Sequence, residues 1–131
     1  MTVESFTSAD RDLLKSKSLA HFATLMADGS PQTTPVWIDV DENGFVLVNT
    51  APGRTKDRNV RRDPRVALSI TDLEDPYRWI LVRGRVVETR TEGAWEHINE
   101  LSMRYRGEPY PIPGERVVYR IEPERIARSS G

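Results

Sequence analysis

Between Gly53 and Pro64 the chain places five cations in nine residues: Arg54, Lys56, Arg58, Arg61 and Arg62. The formal net charge of the 131-residue chain is only −1, so the block is a local concentration and not the mark of a basic protein. It follows an apolar run, Phe45 to Thr50, that reads as a strand, and Ala51-Pro52-Gly53 turns from that strand into a helix. The first N–H groups of a helix have no acceptor inside the helix, and Arg or Lys side chains beside them add full charge. A strand, a glycine-containing turn and a cationic helix start together make a seat for an anion, such as the phosphate of a small cofactor or nucleotide. A solvated basic helix without a ligand is the competing reading of the same residues. The five cations cannot all serve one phosphate. Arg54, Arg58, Arg61 and Arg62 fall near one helical face and Lys56 and Asn59 on another, so only the first turn is expected to form the seat.

The elements around this block are mainly strands. Residues 7–16 read as a helix with Thr7 or Ser8 as N-cap and Leu13-Leu14 facing inward. Leu19 to Met26 reads as a strand, Asp28-Gly29 as a hairpin turn, and Gln32 to Val40 as a second strand in which Val36, Ile38 and Val40 share one face and Trp37 and Asp39 the other. Asn43-Gly44 turns the chain into the third strand, ending at Thr50. After the basic helix, Val66, Leu68 and Ile70 alternate as a fourth strand. A long fifth runs from Trp79 to about Thr89, with Gly84 suited to a bulge or tight bend. Residues 92–106 form the third helix, with Trp95, Ile98, Leu101 or Ser102, and Tyr105 at helical spacing and Gly107 just past its end; Val117 to Glu122 closes the sheet. Six antiparallel strands joined mostly by hairpins, with short helices at the ends, predict a mainly β fold: a small closed or split β-barrel occupying residues 1–131 as a single domain.

Composition removes whole classes of chemistry. There is no cysteine, so disulfides, thiolate metal sites and cysteine nucleophiles are excluded. A chain of this length buries roughly two thirds of its unfolded surface, enough for one core but not for a separate substrate domain. No apolar stretch approaches the ~18 residues of a membrane span and no export signal is recognisable, so a cytoplasmic protein without a membrane partner is expected. Near-neutral charge, and a basic helix without aromatics, argue against a nucleic-acid partner.

Other residues that could carry function read as ordinary structure. His21 is the only histidine on a strand and His97 lies in the polar part of the third helix; neither joins a set with metal spacing or an acid/base pair, so no catalytic or metal residue is expected. Asp39, Asp41 and Glu42 read as the solvated acids of a hairpin end. Pro35 has no N–H for a ladder and should sit at an edge or bulge, where Thr34 to Ile38 would present backbone groups to a ligand beside Trp37.

The hairpin Ala20-His21-Phe22-Ala23-Thr24-Leu25 with Asp28-Gly29-Ser30-Pro31-Gln32, followed by Pro35-Val36-Trp37, resembles the first half of the pyridoxamine 5′-phosphate oxidase-like split β-barrels. The run from Arg54 to Val66, and the ending Arg120-Ile121-Glu122-Pro123-Glu124-Arg125-Ile126, are more similar to the branch of flavin/deazaflavin oxidoreductases that uses coenzyme F-420. The resemblance covers about Leu13 to Arg128, and its basic block is more specific than its hairpin.

That resemblance implies a homodimer with two cofactor sites at the subunit interface. Arg54, Thr55 and Lys56 would bind the cofactor phosphate with Asn59 in support, Thr50 would add a hydroxyl, and Pro35, Val36 and Trp37 would flank the tricyclic ring by backbone contact. Trp79 would reach the pocket from the partner side, core or dimer packing being its bland alternative. Arg58, Arg61 and Arg62 would pair with acids, line the interface or meet the polyglutamate tail of F-420. The reaction implied is hydride transfer to an electron-poor small-molecule acceptor such as an enone, quinone or conjugated imine. Two alternatives remain open: an FMN-dependent oxidase or flavin reductase on the same fold, and a non-catalytic cofactor-binding protein. An oxidase of that type is expected to carry an Arg-x-His substrate motif that the last residues do not supply.

Overall fold

A computed structural model describes residues 5–129. Helix α1 (Ser8–Leu14) leads into β1 (Ala20–Leu25), β2 (Pro31–Val36), β3 (Asp39–Val40) and β4 (Val46–Thr50). Then come α2 (Thr55–Arg62), β5 (Arg65–Thr71), β6 (Trp79–Arg90), α3 (Ala94–Arg106) and β7 (Val117–Arg128). The strands form one seven-stranded sheet in the order β2-β1-β5-β6-β7-β4-β3, antiparallel at every pairing. Its two edge strands, β2 and β3, are joined only by Trp37 and Ile38. A sheet whose opposite edges are that close along the chain has to curl back on itself, and the result is a split barrel.

Where six strands were expected there are seven, because the segment read as one strand from Gln32 to Val40 is divided at Trp37–Ile38. The cause lies far away in sequence. The N–H of Ile38 donates to the Tyr105 hydroxyl (3.1 Å) and its carbonyl accepts from Arg104 Nη1 (2.9 Å), so α3 takes both backbone groups that a ladder would need. Tyr105 passes its own proton to the Ser18 carbonyl (2.7 Å). Side chains of α3 thus seal the split between the edge strands.

Alternation fills the barrel. Val66, Leu68 and Ile70 of β5, Ile80 and Val82 of β6, and Tyr119 and Ile121 of β7 are buried together with Phe22, Val46 and Val48. Leu13 and Leu14 of α1 join this core, and Thr7, one of the two expected N-caps, starts the helix and forms a capping box with Asp10. The expected irregularity at Gly84 is present: the β6–β7 register shifts between Arg83 and Gly84, where Pro123 lies opposite. A Cβ on Gly84 would stand 2.1 Å from the Glu122 carbonyl oxygen, so only glycine lets the strands approach this closely. The closing strand runs on past Glu122 to Arg128, and its tail pairs with β6 from Ile80 to Arg83.

Candidate functional site

The turn before α2 is held from below. Gly53 adopts φ +85°, a region open to glycine at little cost, and its N–H donates to Asp57 Oδ2 (2.8 Å). Asp57 is buried; its Oδ1 accepts the Tyr119 hydroxyl (2.5 Å), and Arg61 Nε donates to both oxygens (3.1 and 3.2 Å). Burial alone would raise the Asp57 carboxyl, but the hydrogen bonds from Tyr119, Gly53 and Arg61 outweigh it and hold the pKa below the usual value. The same contact, with burial as the larger cause, pushes the Tyr119 phenol up. The N-cap residue Arg54 makes no side-chain cap, which leaves the first N–H groups of α2 available to an anion.

Above this turn lies an open cleft of about 260 Å³. Leu19, Pro35, Val36, Trp37 and Ile98 contribute apolar wall to it. Arg54, Lys56 and Arg116 line it as well, with the polar groups of Asn49, Thr50 and Tyr110. Among the described residues none of the three cations has a carboxylate partner. Lys56 makes one long hydrogen bond, to Thr34 Oγ1 at 3.4 Å. Burial, and next the charges of Arg54 and Arg116, depress its pKa below the ordinary lysine value. Burial likewise lowers Arg116, with Arg54 adding to the effect and Tyr110 opposing it. Three like charges drawn together without a counterion are unfavourable by themselves, and an anion removes that cost.

Trp37 is wedged between aromatics. Its ring stacks on Tyr105 (centroids 5.3 Å apart, 8° between planes) and meets the edge of Tyr110, which in turn meets Trp95 edge-on. The wall it forms is therefore rigid.

Of the residues singled out in the sequence, Pro35, Val36, Trp37, Thr50, Arg54 and Lys56 meet in this cleft. Thr55 stands at the first position of α2, with its hydroxyl accepting from Arg58 Nη2 (3.4 Å). Asn59 is not in the cleft: it is buried against β1, donates to Thr24 Oγ1 (2.9 Å) and accepts from Arg62 (2.7 Å). Trp79 lies on the outward face of the sheet, paired with Thr71 and held by its backbone to Ser129. The later arginines are occupied locally, Arg58 by the Gly53 carbonyl (2.6 Å), Arg61 by Asp57 and Arg62 by Asn59. His21 is on the outward face, opposite Pro35 and Ser69.

Three residues in or behind the cleft were not found from sequence: Asn49, Arg116 and Asp39. Asp39, read as a solvated acid, is 6% exposed and holds together Lys15 (2.6 Å), His97 (3.0 Å) and Arg104 (2.9 Å). Burial works against its ionisation, yet the hydrogen bonds from His97, Lys15 and the Val40 N–H keep the carboxyl well below the usual range. Strand alternation sets Asp39 on the face opposite Ile38 and Val40, so nothing local marked it as buried; its partners His97 and Arg104 come from α3, far along the chain.

The fold is a split barrel whose cationic helix start borders a partly apolar cleft. The chain belongs to the pyridoxamine 5′-phosphate oxidase family, whose model matches residues 6–129. It is 31% identical, over 134 aligned positions, to a pyridoxine/pyridoxamine 5′-phosphate oxidase of Rubrobacter xylanophilus. That alignment takes in 79% of this chain but only 61% of the relative, so the chain spans about three fifths of the curated relative it matches. Among solved structures it is similar to an F-420 reductase, with a TM-score of 0.82 and 28% identity over 93% of this chain and 98% of the other. A conserved hypothetical protein of Mycobacterium tuberculosis superimposes with a TM-score of 0.78 at 25% identity, over 97% of this chain and 86% of its own. Together these establish the family and its split-barrel fold. No described helix is long and apolar enough to cross a membrane.

Proposed function

We propose that the protein is a coenzyme F-420-dependent reductase that passes a hydride to an electron-poor organic acceptor. The observation that carries this reading is the cleft itself: Arg54, Lys56 and Arg116 without carboxylate partners, set against the flat wall of Pro35, Val36 and Trp37. The phosphate of the cofactor would rest on Arg54, Lys56 and the free N–H groups of Thr55 and Lys56, and its ring along the wall. The likeness to an F-420 reductase along nearly the whole of both chains supports deazaflavin over flavin. When bound, that cofactor would supply a hydride, and the reduced product would take its proton from solvent after the transfer. The protein's share is to bind, orient and exclude water, which needs no acid/base pair.

A cleft of about 260 Å³ is below the ~300–1,000 Å³ of sites that enclose a whole ligand. A second copy of the chain would complete it, as the homodimer reading requires. The outward face of β1, β5 and β6 suits that contact: Trp79 and Leu81 are exposed beside the small Ala23, Ala67 and Ser69. In this reading residues 1–131 act as a single domain in the cytoplasm, and Trp79 reaches the cleft of the partner. The family's oxidase and the Rubrobacter relative favour a second reading, FMN-dependent oxidation or flavin reduction.

The test is turnover. Reduced F-420 is mixed anaerobically with the protein and a panel of quinones, enones and conjugated imines, and reoxidation is followed by absorbance; reduced FMN is run in parallel. Acceptor-dependent reoxidation of F-420 is expected. Turnover with FMN alone sinks the deazaflavin reading, and binding without turnover leaves a non-catalytic cofactor-binding protein.

A further inference from the structure

Asp39, His97, Asn49 and Arg116 form one continuous chain of hydrogen bonds that begins behind the barrel wall and ends in the cleft. Arg116 Nε donates to Asn49 Oδ1 (2.9 Å), and the amide nitrogen of Asn49 donates to the Ala94 carbonyl (2.8 Å). Both contacts fix the same orientation of the amide. Reversing it would set an NH2 against the Arg116 N–H and a carbonyl against the Ala94 oxygen. The Asn49 NH2 also points at His97 Nδ1 (3.2 Å), so that ring nitrogen has to accept, and the ring proton sits on Nε2, facing Asp39 Oδ2 (3.0 Å). Asp39 is fixed in turn by Lys15 and Arg104. Asn49 and Asp39 are both buried, and the Asn49 amide meets partners on both its oxygen and its nitrogen.

At the cleft end, Arg116 is tethered on two edges. Nε is held by Asn49, Nη1 by the Tyr110 hydroxyl (3.3 Å), and the guanidinium stands 5.0 Å over the Tyr110 ring. Among the described residues Nη2 has no partner and no carboxylate neutralises the group. A guanidinium braced on two sides, left open on the third and desolvated beside Arg54 and Lys56 is preorganised for an anion. A structural arginine would be expected to close on an acid instead.

We propose that Arg116 is a third ligand of the anion received by Arg54 and Lys56, and that Asn49, held by His97 and Asp39, is the positioning residue that aims it. This rests on the reading of the cleft as the seat of a phosphate-bearing cofactor. The ligand class is a phosphate ester on a flat apolar body. Arg116 comes from the segment just before β7, far in sequence from the basic block. The site therefore depends on α3 and β4 being correctly joined, not on α2 alone.

Calorimetric titration with inorganic phosphate, and separately with FMN and F-420, tests this on the full chain and on Arg116→Ala, Asn49→Ala and the double variant. Arg116→Ala is expected to weaken phosphate binding about tenfold or more, and Asn49→Ala by several-fold. The double variant should bind no more weakly than Arg116→Ala alone, because Asn49 acts through Arg116. Arg116→Lys keeps the charge but loses the Nε contact, and should make the Asn49 substitution silent. An Arg116→Ala protein that binds phosphate like the wild type overturns the ligand role, even if FMN or F-420 still binds. A loss from Asn49→Ala that is undiminished in the Arg116→Ala background overturns the positioning role. Should Asn49→Ala fail to fold, Tyr110→Phe removes the other tether and is expected to weaken phosphate two- to threefold; no change there counts against positioning. Phosphate binding that needs Arg116, in a protein that takes neither FMN nor F-420, upholds this proposal and removes the cofactor reading instead. A wild type that binds none of the three overturns both.

Discussion

Tyr119 of β7 gives its hydroxyl proton to Asp57 of α2 at 2.5 Å, and Asp57 in turn accepts the N–H of Gly53 at 2.8 Å. The innermost aromatic of the barrel is thus wired to the turn that opens the basic helix. Removing that hydroxyl should be felt in both places. Tyr119→Phe is expected to cost about 2 kcal/mol of stability, as for a buried hydrogen bond to a charged group, and also to weaken phosphate binding although Tyr119 is not in the cleft. Urea unfolding and a phosphate titration on the same variant check both halves.

Acid should unfold the protein through its buried carboxylates, among the described residues Asp10, Asp39 and Asp57. Asp39 and Asp57 both have native pKa values below the ordinary 3.8. A depressed native pKa means stability that is fully present above the unfolded value and lost as pH falls through the native one. Thermal stability is therefore expected to hold from neutrality to about pH 4 and to fall below it. Asp57→Asn should show a shallower acid decline than the wild type, measured by calorimetry across pH 2–7.

Lys56 runs the other way. Its pKa is lowered by burial and by the charges of Arg54 and Arg116, so its charged form opposes folding until an anion arrives. Lys56→Met should leave the free protein as stable as the wild type, or more stable by up to about 1 kcal/mol, while anion binding is lost. An anion restores the lysine charge, so affinity should decline on the alkaline side before the ordinary lysine value of 10.5 is reached. Paired melting curves and titrations between pH 7 and 10 read both effects.

Gly84→Ala should destabilise by about 3 kcal/mol, because the added methyl meets a backbone carbonyl oxygen and not a flexible side chain. The denaturation midpoint checks it.

The parts legible in the sequence were those written by local periodicity. Val66, Leu68 and Ile70 declared β5, and the glycine turn declared the start of α2 that brings Arg54 and Lys56 to the cleft. What stayed hidden was decided by contacts across long stretches of chain. The break in the second strand depends on Tyr105 and Arg104, more than sixty residues on, capturing Ile38. Arg116 stands alone after a Pro- and Gly-rich loop, and nothing in its neighbours tells that it turns toward Lys56. Asn59 shared a helical face with Lys56, but β1 packs against that face and Thr24 claims its amide. The strand pattern around Trp79 was right, yet alternation says only that it points outward, not what covers it.

Whether the cleft holds a deazaflavin through its cations is read by fluorescence titration of the protein with F-420 and with FMN, repeated on Lys56→Ala. Saturable F-420 binding, tighter than FMN, is expected, and it should fall at least about tenfold in the variant. Binding of F-420 unchanged by the substitution, or binding of FMN alone, would contradict the deazaflavin reading.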